Sequence, residues 1–265
     1  MGLSAFEILD IIELIFFTPA LLASAYVVLK HGHRKHLGWR FLVMICLFRI
    51  IGAVTSLISI SHPSSGLTIC YDIMNSFGLS AIVYTALGLL DRVNDGMAGF
   101  GLPRRFFQLL HLPGVAGLVL SILGSTNIFS NDSSDHSTGF TELKAAIILF
   151  LVVFIADVFV TAKSFLKMSR VRSEDRRLLF AVAVTLPFMA VRMLFSLLCV
   201  FAEEPKYFSS WSLDFVPILV HGFMGVLVEA IIVSIFIAAG LTTSPAPKPV
   251  AREGKVVYNV EARSV

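Results

Sequence analysis

The sequence is poor in charge and lacks the short motifs that carry soluble chemistry. Asp, Glu, Lys and Arg make up only 15% of its 265 residues, against about 25% in an ordinary soluble domain. It has no G-x-S-x-G, no phosphate-binding glycine loop, no His-x-x-x-His, no Cys-x-x-Cys and no long polar stretch in which a cofactor domain would fold. Hydrolase, nucleotide, metal and cofactor chemistry are therefore not expected. The three cysteines do not form a metal-binding spacing. Cys46 lies inside an apolar run and reads as a small buried hydrophobe. Cys70 and Cys199 fall near the same predicted side, where a bridge requires Cα atoms within about 7 Å. The last apolar run contains no lysine, which excludes a retinal Schiff base.

What is abundant is apolar sequence: 56% of residues are hydrophobic and the mean hydropathy is +0.84. Seven runs, at 6–29, 41–60, 68–90, 106–125, 143–164, 178–201 and 214–240, each have about the 20 residues a helix needs to cross some 30 Å of hydrocarbon. None alternates with period two, so a barrel is excluded and each run is predicted to be a helix that satisfies its own backbone. The fold class is all-α: a polytopic seven-helix transmembrane domain over 1–241, followed by a Pro-rich, charged tail over 242–265 that has no apolar face and is expected to be disordered. The partner this composition implies is the lipid bilayer. The net charge of +3 is a topology signal and gives no reason to expect nucleic acid.

The basic residues fall in alternate connections. KHGHRKHLGWR (30–40), Arg104-Arg105, KMSRVRSEDRR (167–177) and the tail are basic, whereas 61–67, 127–143 and 201–213 are neutral or acidic. The positive-inside bias then predicts a cytoplasmic C-terminus and an N-terminus outside or in a lumen. The first run has Glu7, Asp10 and Glu13 where a signal peptide has positive charge, so it is read as part of the mature fold. On the outer side, Asn131-Asp132-Ser133 matches the N-glycosylation pattern. Segments one and two with their link resemble segments five and six with theirs, which predicts a 3+1+3 pseudo-repeat.

Two arginines, Arg49 and Arg192, lie too deep in their runs to reach the interface, and a charge at that depth needs a partner. The available acids are Glu13, Asp72, Asp157, Asp214 and Glu229. By depth, Arg49 is expected to meet Asp157 or Glu229, and Arg192 to meet Glu13, Asp72 or Asp214. Such pairs either fix which helices are neighbours or form a ligand site. The acids at 7, 10 and 13 share one helix face and are expected to be a solvated helix start, which the helix dipole favours. His221, seven residues after Asp214 and beside Gly222 and Gly225, is expected to be an interhelical hydrogen-bonder. If the outer halves of segments one, three, six and seven converge, they enclose a polar cavity. The small-residue spacings Gly52/Ser56, Ser76/Ser80 and Gly117/Ser121 read as close helix contacts, and Pro113 and Pro187 as kinks.

LDRVN (90–94) and Cys70 resemble the acid-Arg triplet and outer cysteine of rhodopsin-like G-protein-coupled receptors. The Asn-Pro-x-x-Tyr of segment seven and the Trp-x-Pro of segment six that such receptors carry are missing. The acidic outer N-terminus, FRIIGAV (48–54), PFMAVRMLFSLL (187–198) and the GLTTSPAPKP end of segment seven resemble small seven-helix integral membrane proteins of filamentous fungi. That resemblance implies a plasma-membrane or endomembrane protein and carries no residue roles. Groups of similar size include lipid-translocating exporter-like proteins and the membrane terpene cyclases of secondary metabolism. Two functions follow as expectations. One is binding, sensing or transport of a lipophilic small molecule. The other is a cyclase or isomerase in which Glu13, Asp72 or Glu229 acts as the acid. Such a catalyst must stay protonated, which apolar burial away from arginine favours.

Overall fold

The structure, a computed structural model, describes residues 4–32, 37–97, 101–129, 133–202, 215–244, 250–252 and 255–257. Seven helices long and apolar enough to cross a membrane make up the bundle. They are α1 (Ala5–His31), α2 (Leu37–Ser61), α3 (Ser65–Asp95), α4 (Arg104–Ile128), α5 (Ser133–Leu166), α6 (Ser173–Phe201) and α7 (Phe215–Thr242). The protein is an integral, multi-pass membrane protein. Outward-facing Ile15, Leu22 and Leu29 on α1, exposed by 70% or more, suit lipid rather than water.

Local chemistry sets the ends. The Ser4 hydroxyl accepts from the Glu7 N–H at 3.2 Å and the Glu7 carboxylate accepts from the Ser4 N–H at 2.6 Å, closing a capping box on α1. At the other end Gly32, at φ +86°, turns the chain out of the helix. Pro19, Pro113 and Pro187 lie inside continuous helices. In α7, residues Gly222–Leu227 take π geometry, a one-residue widening often found beside functional groups.

The most enclosed helix is α3; Ile82, Leu87, Leu89 and Leu90 on it are buried in the centre of the apolar core. Glycines set the close approaches. A methyl on Gly38 of α2 would lie 3.0 Å from the α3 backbone at Gly88 and Leu89. Between α4 and α5, one on Gly124 would lie 2.8 Å from the Gly139 carbonyl, and one on Gly117 would lie 2.9 Å from the Phe150 ring.

At the end that carries the basic connections, cations collect the unbonded carbonyls that close α7. Lys30 donates to the Leu241 carbonyl at 2.5 Å and Arg177 to that of Thr242 at 3.2 Å. Arg92, the arginine of LDRVN, donates to Asp175 at 3.1 Å, to the Ser244 carbonyl at 2.8 Å and to Nδ1 of His31 at 3.2 Å. An arginine only donates, so His31 Nδ1 accepts and its Nε2–H goes to the Gly240 carbonyl at 2.8 Å. The His31 ring also stacks on the buried Trp39 at 4.9 Å. Outside the bundle, β1 (Val250–Arg252) and β2 (Lys255–Val257) pair antiparallel, Val250 opposite Val257.

Candidate functional site

Halfway along the bundle, four helices bring together two arginines and two glutamates, all at most 4% exposed. Glu229 of α7 is the hub. Its Oε2 accepts from Arg49 Nε of α2 at 2.5 Å and its Oε1 from Arg192 Nε of α6 at 2.6 Å. Glu13 of α1 sits at 3.4 Å from Arg49 Nη1. Arg192 also donates to Ser196 Oγ at 2.5 Å and to Asn75 Oδ1 of α3 at 3.1 Å. Two guanidinium groups face two carboxylates, so the cluster balances its charge away from water, the condition under which ionised groups persist there.

The pairing differs from the sequence expectation in two respects. Arg49 meets Glu229, one of its two predicted acids, but also Glu13, which is among the acids expected for Arg192; Arg192 meets none of the three expected for it and shares Glu229 instead. Side chains incline toward the N-terminus of their own helix. Helices α6 and α7 run in opposite directions, so Arg192 leans one way along the bundle and Glu229 leans to meet it. Counting Cα depth alone hides that approach.

Asp157 of α5 does not join the cluster. It is 0% exposed, and among the described residues both carboxylate oxygens lack a hydrogen-bond partner. Asp214 and Asn131 lie outside the described residues. Asp10 and Glu13 are not a solvated helix start. Glu7 alone has that role, whereas Asp10, 2% exposed, accepts from Ser56 Oγ at 2.6 Å. Ser56, predicted as a small packing residue, is thus an interhelical donor. His221 is buried with its ring stacked on Phe195 at 5.6 Å, and its Nε2 has no partner among the described residues. A methyl on Gly225 would lie 2.7 Å from that ring, so the glycine makes room for it within the π segment.

Two concave regions flank the cluster. The polar one is not between segments one, three, six and seven, as expected, but between α3, α4, α5 and α6. It is a cavity of about 70 Å³ lined by Asp72, Asn75, Ser76, Ser121, Arg192 and Ser196 with Phe150, Phe195 and Cys199 on its walls. On the α4 and α5 side, Gly117 and Gly124 seat those two helices against each other. Cys70 and Cys199 do not form a disulfide. The apolar region is a groove of about 700 Å³ between α1 and α7 that runs from Ala5 to Phe17 and from Phe215 to Ile235 and includes the start of the π segment. Nothing in the sequence marked it, because the residues that line it look like ordinary lipid-facing side chains. Among the described residues no His, Cys, Asp and Glu group that would hold a metal ion occurs.

No curated protein and no solved structure matches the chain. The family described as Domain of unknown function (DUF7702) matches residues 3–246, which include all seven helices, and the chain belongs to that family.

Proposed function

We propose that the protein binds a lipophilic small molecule, taken laterally from the bilayer, in the groove between α1 and α7. The observation that carries this reading is the groove itself. Its volume of about 700 Å³ is that of a ligand site rather than a packing defect, and Ser234 is the sole polar side chain among the described residues that line it. Ile12, Phe215 and Phe223 stand exposed at its mouth, open to lipid. The groove runs along the π segment of α7, two residues before Glu229. A ligand there presses on the helix that holds both buried arginines, which favours a binding or sensing role with the ion cluster as the fixed part of the bundle.

The acid-catalysis reading is less favoured. Glu13 and Glu229 lie on arginines, Asp72 lines the other cavity, and no acid lines the groove among its described residues. A diazirine-bearing farnesol analogue, photolysed with the purified protein in nanodiscs, tests the proposal. Labels are expected to concentrate on 5–17 and 215–235, and Ala230→Phe, which fills the groove, is expected to cut labelling at least about fivefold. Labels spread evenly over the outer faces of α4 and α5 would sink the idea.

A further inference from the structure

We propose that the cavity between α3, α4, α5 and α6 is a second binding site, specific for a small primary ammonium ion. Asp72 of α3 opens onto it, with one carboxylate oxygen accepting from Ser125 Oγ at 2.7 Å. Among the described residues no lysine or arginine forms an ion pair with Asp72. The other charged group of the cavity, Arg192, already directs its donors to Glu229, Ser196 and Asn75. The unmatched capacity of the site is therefore acceptor capacity, and a ligand that brings a positive charge and several N–H donors complements it.

The antiparallel register of α3 and α4 supplies the further acceptors. Ser125 faces Asp72, and both chains rise about 1.5 Å per residue, so Ser121, four residues back along α4, comes level with Ser76, four residues on along α3. Both line the cavity. Ser121 is 1% exposed and its hydroxyl has no hydrogen-bond partner among the described residues, an arrangement that costs free energy unless something in the cavity bonds to it. Three acceptors, the Asp72 carboxylate and two hydroxyls, match the three donors of R–NH3+. The rest of the wall is largely apolar and includes the rings of Phe150 and Phe195. A volume of about 70 Å³ suits a group of a few heavy atoms, since a water in the liquid takes about 30 Å³. Quaternary ammonium, with four carbon substituents and no N–H, fits neither the space nor the acceptors. The ligand class differs from that of the α1/α7 groove, and this site stands whether or not the groove binds a lipophile.

Thermal unfolding of the full-length protein in detergent micelles, in methylammonium, tetramethylammonium or sodium chloride at equal ionic strength, tests the assignment. Methylammonium alone is expected to raise Tm in a saturable way, by about 3–5 °C at ten times the half-saturating concentration. The rise is expected to vanish in Asp72→Asn and to shrink in Ser121→Ala. Equal shifts in the three salts, or a shift that survives Asp72→Asn, would overturn the proposal. If Asp72→Asn does not fold, alkylation of Cys199, which lines the same cavity, gives the second readout in the wild-type protein. Methylammonium is expected to slow it at least about threefold where tetramethylammonium does not, and an unchanged rate would overturn the proposal.

Discussion

Two acids in one cluster carry unequal weight. Glu229 bonds both arginines at 2.5 and 2.6 Å, while Glu13 reaches only Arg49, at 3.4 Å. Removing one member of a buried pair leaves its partner charged and uncompensated, at a cost of about 3–5 kcal/mol; a long contact such as that of Glu13 contributes about 1–2 kcal/mol. Glu229→Gln is therefore expected to abolish most detergent-extractable folded protein, and Glu13→Gln to lower Tm by only a few degrees. Fluorescence-detected size exclusion and thermal unfolding compare the two, and equal losses would remove Glu229 from its place as hub. Removing Arg49 and Glu13 together is expected to cost less than the sum of the single changes, because the two touch. The cluster was partly legible: a charge in an apolar run announces itself, and Arg49, Arg192, Glu13 and Glu229 are all visible that way. Which acid serves which arginine was not, since that depends on side-chain lean and on α7 lying between α2 and α6. Asn75 and Ser196 were illegible for a different reason, being polar residues too common in membrane helices to stand out before their neighbours are known, and Ser121 was legible only as a small packing residue.

At the scale of the element, seven helices follow directly from apolar run length, and the structure extends most of them by several residues beyond the hydrophobic core. The extension is physical: a helix continues past the hydrocarbon until a cap stops it, as the Ser4–Glu7 box begins α1 and Gly32 ends it. Packing partners are less visible, because a glycine in a membrane helix is equally an accident or a contact. The structure separates the two cases. A methyl on Gly124 meets the Gly139 carbonyl at 2.8 Å, whereas one on Gly52 meets only Met74 Cβ at an ordinary 3.5 Å. Gly124→Ala is expected to lose about 1–3 kcal/mol through overpacking. Gly52→Ala is expected to be neutral or to gain up to about 1 kcal/mol, since alanine is the better helix former. Unfolding midpoints of the two variants in one detergent check this, and a Gly124→Ala protein as stable as Gly52→Ala would contradict the α4–α5 contact. The π segment of α7 could not be read from sequence, as nothing in GFMGVL distinguishes it from regular helix.

For the whole molecule, the decisive asymmetry is charge between the two ends. Lys30, Arg40, Arg104, Arg105, Arg170, Arg172, Arg176 and Arg177 all fall at or beside the ends of helices on one side of the bundle. The carboxylates Glu7, Asp10 and Asp72 fall in the other half. Part of the basic set is occupied in closing α7, as Lys30 and Arg177 bond its last carbonyls, so those two report structure as well as topology. The arginines at 104, 105 and 172 have no such duty among the hydrogen bonds described, and a short connection rich in arginine is retained on the cytoplasmic side during insertion. We therefore propose that the N-terminus faces out or into a lumen and the C-terminus the cytoplasm. In sealed right-side-out vesicles an epitope at the C-terminus is then expected to resist added protease and one at the N-terminus to be cleaved. In a eukaryotic host, Asn131→Gln is expected to remove a glycosidase-sensitive mobility shift. Cleavage of the C-terminal epitope before the vesicles are opened would reverse the orientation. It would also place the Asp72 cavity in the half of the bundle nearer the cytoplasm, where the ammonium ion it takes would be an intracellular one.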